Sequence, residues 1–357
     1  MWDEKWIRVI YERMGDEESK MIYMARLAYS LTGEWKFIEN MVDKTARSRP
    51  LWKEFLDVLK RKYADKDLVI FGAGIWGNIL YKETSEIVSW KFVVDSDPLN
   101  KKVGDLKIVS FERFVDEYTG EEVVLSSYKN RGKMARQLKK SGIPDKNILD
   151  AGQVIYQLTE GAIYFDLPTP CLKGRREIFV DAGGFDGITT RQFLEWSRGN
   201  GYVYCFEPDE RNILRAKKNL GSYRNYEIIP KALWSKSGRV TLNAKGNFAT
   251  SVEEETMESA GQTIEAVALD DLYMDKGITF LKMDIEGAEA RALLGARGII
   301  ESQSPRLAVS VYHKTEDIWE IPKLILEFCS TYDFYLRHYS FHGYDTVLYA
   351  IPKRYSL

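Results

Sequence analysis

The stretch Glu177-Ile-Phe-Val-Asp-Ala-Gly-Gly-Phe-Asp-Gly-Ile-Thr-Thr190 constrains the fold of the C-terminal half of the chain. Ile178 to Val180 is a short apolar run, β-branched enough for a buried parallel strand. Gly183, Gly184 and Gly187 let the backbone turn tightly and approach a ligand. The next strand, Val203-Tyr-Cys-Phe-Glu-Pro208, ends in an acid 20 residues after Gly187. Glu207 thus falls where a nucleotide-binding α/β fold keeps the carboxylate that accepts hydrogen bonds from a ribose.

Asp181 bears on which nucleotide. A pyrophosphate-binding turn presents neutral amides and a helix N-terminus, and a carboxylate in its middle would repel the phosphates. S-adenosylmethionine has no phosphate and carries an ammonium and a sulfonium, so an acid at the end of the first strand suits it better than NAD. The competing reading makes Asp181 and Asp186 helix caps.

At 357 residues the chain has room for two or three domains. Lys plus Arg number 51 and Asp plus Glu 53, so no charge excess calls for a nucleic-acid partner. The mean hydropathy is −0.34 and no apolar run approaches a membrane span, so no membrane partner is expected. The N-terminus, Met-Trp-Asp-Glu-Lys-Trp, has neither the basic start nor the apolar centre of a signal peptide. Cys171, Cys205 and Cys329 are far apart and in no metal spacing. Reduced thiols in a cytoplasmic protein are the expectation.

Four segments follow. Residues 1–64 read as helical: Asp16 starts a segment with Met21, Met24, Leu27 and Leu31 at helical spacing, Gly33 stops it, and Pro50 opens another helix. That apolar face suits core packing or a homo-oligomer contact. Residues 65–150 read as a smaller Rossmann-like domain. Strand Asp67 to Phe71 runs into Gly72-Ala-Gly-Ile-Trp-Gly77, a G-x-G-x-x-G turn, and strand Phe92 to Asp95 ends in an acid 18 residues after Gly77. Gly72, Gly74, Gly77 and Asp95 are therefore candidate ligands of a nucleotide or nucleotide sugar, unless the turn only packs. Residues 151–176, with Gly161, Pro168, Pro170 and Gly174, read as connector. Residues 177–357 form the second α/β domain. Its strands are expected at Tyr226 to Leu233, Ile278 to Asp284 and Leu307 to His313, with an antiparallel insertion around Thr250 and Ser251. A closing hairpin spans Phe334 to Ser340 and Thr346 to Ile351.

Phe179-Val-Asp-Ala-Gly-Gly-Phe-Asp-Gly187, Phe206-Glu-Pro208, Leu269-Asp-Asp-Leu272 and Lys282-Met-Asp-Ile-Glu-Gly-Ala-Glu289 resemble the successive motifs of the FkbM-type S-adenosylmethionine-dependent methyltransferases, over residues 176 to 352. The resemblance implies a class I methyltransferase Rossmann-like mixed sheet and methyl transfer to a hydroxyl, often of a sugar or polyketide. By position, Asp181, Gly183 and Gly187 would line the cofactor loop, Glu207 would hold the ribose, and Asp284 would face the transfer site. Gly184-Phe185-Asp186 departs from the family, where many members have a small residue and an Asn.

Asp284 and His313 each close an apolar strand, and open α/β sheets bind ligands at that end. His313 suits a general base and Asp284 an orienting group; the alternative is a structural histidine. Glu286 and Glu289 read as complements to a helix N-terminus. A divalent metal on His313, His338, His342 and Asp284, lowering the acceptor's pKa, is the less favoured alternative, because their spacing supplies no ligand signature. The function expected is an O-methyltransferase acting on a small-molecule or glycan acceptor. The rivals are an NAD-linked oxidoreductase using Gly72 to Gly77, and a non-catalytic scaffold of a glycan-assembly complex.

Overall fold

The computed structural model describes residues 4–99, 101–161, 163–166, 176–245, 249–253 and 262–355. Cys171 and the Pro168, Pro170 and Gly174 of the expected connector lie outside them. Two compact units emerge: Val42–Ile163 with Tyr339–Phe341, and Met1–Met41 with Tyr164–His338 and His342–Leu357. The helical segment expected at 1–64 is thus shared between them.

The smaller unit is a five-stranded parallel sheet. Its strands are β1 (Leu68–Phe71), β2 (Trp90–Asp95), β3 (Ile108–Ser110), β4 (Glu122–Leu125) and β5 (Ile148–Asp150), in the order β3-β2-β1-β4-β5. Every residue of β1 is buried, as the uninterrupted run Leu68-Val-Ile-Phe71 requires. Helix Ile75–Thr84 follows the glycine turn, and helix Arg131–Lys140 follows β4. The expected connector begins instead as helix Ala151–Thr159, because Asp150 caps it by accepting from the Gln153 N–H at 3.0 Å and Ile155 and Leu158 are buried.

The larger unit carries β6 (Glu177–Ala182), β7 (Gly201–Phe206), β8 (Tyr226–Ile229), β9 (Ala232–Leu233), β10 (Gly238–Lys245), β11 (Ala249–Glu253), β12 (Gln262–Val267), β13 (Phe280–Met283), β14 (Arg306–Ser310), β15 (Tyr332–His338) and β16 (Thr346–Pro352). Seven form a sheet of order β15-β16-β14-β13-β6-β7-β8, parallel except where β16 runs against β14 and β15. This is the mixed sheet of a class I methyltransferase fold. The chain winds outward from β6 on one side and returns through β13 on the other, which puts the ligand crevice at the C-terminal ends of β6, β7 and β13. A second sheet has the order β11-β10-β12-β9. The single strand expected at Tyr226 to Leu233 breaks in two, since Pro230 has no N–H for a ladder and β9 joins the second sheet. Thr250 and Ser251, expected in a loop, pair with β10 as part of β11.

Helix Glu17–Thr32 is capped as its sequence asks. The Asp16 carboxylate accepts from the Ser19 N–H, and Gly33 takes a left-handed φ of 68°. It docks on β15, where Ser19 Oγ accepts from the Leu336 N–H at 2.9 Å. The buried face is therefore Ile22, Tyr23 and Leu27, and Met24 and Leu31 point outward rather than sharing one buried stripe. Among the described residues, Cys205 and Cys329 are free and no helix is long and apolar enough to cross a membrane.

Phe179 and Phe193 stack with centroids 4.4 Å apart, and Phe280 closes on Phe179 at 5.0 Å. Beside them Arg306 donates to Glu177 at 2.5 and 2.6 Å, with both side chains fully buried, and Thr279 Oγ1 donates to the same carboxylate. This pair clamps the N-terminal ends of β6 and β14 across β13. Arg306→Met should cost about 3–5 kcal/mol in denaturant unfolding, because Glu177 is left charged and unpaired in an apolar setting. Arg306→Met combined with Glu177→Gln should recover much of that loss, and a single-variant cost below about 1 kcal/mol would mean the clamp is not what holds these strands.

Candidate active site

The crevice is built on the turn after β6. Gly183 has φ 78°, and a Cβ there would lie 2.0 Å from the Asp284 carbonyl oxygen, so only glycine lets the turn lie against the end of β13. The Gly183 and Gly184 amides both donate to the Phe206 carbonyl at 3.0 Å, tying the turn to the end of β7. Gly187 precedes helix Ile188–Trp196, where the Asp186 carboxylate accepts from the Ile188 N–H. Gly187 is the N-cap of this helix, and of the two acids in the competing reading only Asp186 reaches a helix amide.

Asp181 does not face the crevice. Its carboxylate is fully buried, with Lys282 Nζ 3.1 Å from Oδ1 and Thr190 Oγ1 donating to Oδ2 at 2.8 Å. The charge that was expected to repel phosphates is neutralised inside the sheet, so Asp181 says nothing about the cofactor. Lys282, which sequence reasoning gave no role, stands beside Asp181 in the β6–β13 register and also donates to the Ala182 and Gly183 carbonyls at 3.0 and 2.7 Å. Burial alone would pull its ammonium down, and the Asp181 and Asp284 carboxylates more than offset this and leave it raised.

Glu207 lies at the end of β7 and is 6% exposed. Oε2 accepts from the Phe185 amide at 2.8 Å and Oε1 from the Asp209 amide and Asn212 Nδ2 at 2.9 and 3.3 Å, which aligns the carboxylate and leaves a lone pair on Oε2. Burial pushes its pKa up against these hydrogen bonds.

Asp284 follows β13. Tyr164 Oη donates to its Oδ2 at 2.6 Å and Tyr312 Oη to its Oδ1 at 3.2 Å. Burial raises both phenols well above their usual value, so both stay donors. Desolvation would raise Asp284 as well, but Lys282 and His313 outweigh it and hold this carboxyl below its usual value.

His313, just past β14, is ringed by acids. Its Nδ1 lies 3.0 Å from Glu289 Oε1, and its Nε2 lies 3.5 Å from both Asp284 Oδ1 and Glu286 Oε2. Burial would lower the imidazole, yet Glu289, Asp284 and Glu286 together raise it to about 9. At neutral pH the ring already holds its second proton and cannot serve as the free base expected of it. Glu289 opens helix Glu289–Leu294, fully buried, with Oε1 also accepting from the Ile285 N–H at 2.8 Å. Glu286 does not begin that helix: it sits at a left-handed φ of 57° followed by Gly287 at 92°, and this turn carries its carboxylate to His313.

The other sequence candidates lie elsewhere. His338 is fully buried and its Nδ1 pairs with Thr346 Oγ1 at 2.8 Å. Gly72, Gly74, Gly77 and Asp95 belong to the smaller unit, where Asp95 accepts from the Ala73 amide and from Lys101 Nζ, each at 2.7 Å. Tyr164, Lys282 and Glu289 were missed or under-read. Only Lys282 left a signal, a lysine inside an apolar strand next to an acid-bearing one.

Residues 181–344 match the family described as the methyltransferase FkbM domain. The 2-O-methyltransferase NoeI of Sinorhizobium fredii (strain NBRC 101917 / NGR234) is 26% identical over 160 residues, 36% of this chain and 65% of that protein. The match thus spans just under two thirds of that relative's length. Among solved structures, the FkbM methyltransferase of Methylobacillus flagellatus KT is similar at a TM-score of 0.47 and 19% identity, over 94% of this chain and 99% of that one. Aeropyrum pernix fibrillarin, solved with natively bound S-adenosyl-L-methionine, gives 0.34 and 14%, over 52% and 69%. The glycine turn, the acid after β7 and the acid after β13 all fall within the stretch, residues 181–344, that matches the methyltransferase FkbM domain.

Proposed function

We propose that the chain transfers a methyl group from S-adenosylmethionine to a hydroxyl of a sugar or glycan-related small molecule. The observation that carries this is the adjacency of Gly183 to the Asp284 backbone, which sets the donor loop directly beside the acid cluster. The crevice fits the cofactor on its own features. The Gly183–Gly184 turn closes β6 at the crevice, packed on the Asp284 carbonyl and Cys205, and Glu207 is pre-aligned with an unused lone pair on Oε2 for a ribose hydroxyl. The oxygen acceptor is supported by the 2-O-methyltransferase relative, and the sugar class by the family resemblance.

S-adenosylmethionine, when bound, supplies a methyl carbon already activated by a sulfonium. The protein's task is to align an acceptor and receive its proton. Asp284 keeps the orienting role expected of it in this reading, and the base's role passes from His313 to Glu286. Asp284, held by two tyrosines, orients the acceptor hydroxyl, and protonated His313 keeps the carboxylates gathered. Glu286, half exposed beside His313, takes the hydroxyl proton.

Two outcomes test this. Calorimetry should find micromolar or tighter binding of S-adenosylmethionine or its demethylated product, weakened about 10- to 100-fold by Glu207→Ala, as loss of a hydrogen-bonded charge worth roughly 1.5–3 kcal/mol implies. Absence of binding to the wild-type protein would sink the reading. Glu286→Gln should lower turnover about 10²- to 10⁴-fold with methyl-donor affinity nearly unchanged, and an unchanged turnover would remove Glu286 from the proton path.

For the smaller unit we propose a nucleotide or nucleotide-sugar ligand. Gly72, at φ 114°, and Gly77, whose Cβ would meet the Gly72 carbonyl at 2.1 Å, are glycines the fold needs; Gly74 has nothing within 4 Å of its missing Cβ. Its open side borders a cavity of about 330 Å³ lined by Asp95, Lys101, Ser126, Asn130 and Lys133. A thermal-shift screen of nucleotides and nucleotide sugars should find one that raises the melting temperature of the wild type and not of Gly74→Val. If none does so at millimolar concentration, the turn serves packing.

A further inference from the structure

We propose that Asp284, Glu289 and His313 form a binding site for one divalent cation of the Mn²⁺ or Zn²⁺ type. One ligand atom from each of the three lies within 4.8 Å of the others. In a tetrahedral set with bonds of about 2.0–2.2 Å the ligand atoms stand roughly 3.3–3.6 Å apart, so side-chain rotation has to draw the three together to close the set.

The second observation is Glu289 itself. It is fully buried, and while Oε1 is engaged by the Ile285 amide, Oε2 has no hydrogen-bond partner among the described residues. A buried carboxylate oxygen left without a donor is unfavourable, and the other oxygen of the same group, Oε1, stands 3.0 Å from His313 Nδ1. Helix capping alone explains one oxygen and not the other. The charges point the same way: Asp284, Glu286 and Glu289 set three negative charges around one imidazole. A divalent ion would balance them better than the imidazolium proton it displaces.

The donor set selects the class of ion. Two carboxylates and one imidazole suit Mn²⁺ and Zn²⁺ better than Ca²⁺, which favours six to eight oxygens. Three protein ligands leave positions open for water and for an acceptor hydroxyl, which the ion would make more acidic while Glu286 stays free to take the proton. The Tyr164 and Tyr312 hydroxyls, donating to Asp284, would orient that ligand from behind. The catalytic use of the ion rests on the methyl-transfer reading; the site does not.

The test starts from purified protein stripped with a chelator and checked for its fold by circular dichroism. Titration with MnCl₂, followed calorimetrically and by the electron paramagnetic resonance of free Mn²⁺, should show one ion bound per chain with micromolar affinity. His313→Ala and Asp284→Asn, both at positions partly open to solvent, should each weaken binding at least 10-fold, as should Glu289→Gln if it folds. Full-affinity binding in both His313→Ala and Asp284→Asn would overturn the assignment. So would an absence of binding to the folded wild type at millimolar Mn²⁺ and Zn²⁺. S-adenosylmethionine titrated into the same preparation separates the two claims: donor binding without metal binding overturns the site alone, and metal binding without donor binding overturns the methyl-transfer reading alone.

Discussion

The ion pair between Lys282 and Asp181 is the interaction on which the larger unit depends. Both side chains are out of water, between adjacent strands, and the same ammonium reaches two carbonyls of the glycine turn. A charge buried this deeply persists only when it is paired and its remaining hydrogens are used. Three of its interactions fall on Asp181, Ala182 and Gly183, so the pair ties strand register to turn conformation. A slip of β13 against β6 by one residue would leave an ammonium and a carboxylate each alone in the core.

From that fixed turn the rest of the site is laid out by backbone. The Phe206 carbonyl ties the turn to β7 and so positions Glu207, and the Asp284 carbonyl packs against Gly183 and so positions the acid cluster. Side chains then refine the arrangement. Tyr164 and Tyr312 hold Asp284, and Glu289 holds both the Ile285 amide and the His313 ring. The histidine is thereby placed by three acids rather than by its own strand alone.

Much of this fold was legible in the sequence because the informative features are local. Apolar runs such as Leu68–Phe71 and Phe280–Met283 are buried along their length, and the Asp16 and Gly33 signals bound their helix. What failed to show was pairing across the chain. Asp181 looks like a ligand until Lys282, a hundred residues on, is seen beside it. Tyr164, in a stretch with no periodicity, meets Asp284 only through the tertiary fold. The family motifs pointed to the glycine turn and to the acids beside it, but whether a carboxylate faces inward or outward depends on what lies opposite, and the basicity of His313 depends on its neighbours in the same way. A histidine's basicity belongs to its neighbours, and here they are Glu286 and Glu289, two residues that looked like helix ornaments.

The contact between Gly183 and the Asp284 carbonyl has a dynamic consequence. The glycine turn and Asp284 meet at a backbone junction, so a thermal displacement of one carries the other with it. Their relative distance then fluctuates less than the position of either. An in-line displacement is sensitive to that distance rather than to absolute position, which lets the crevice breathe as a whole to admit an acceptor without losing its aim.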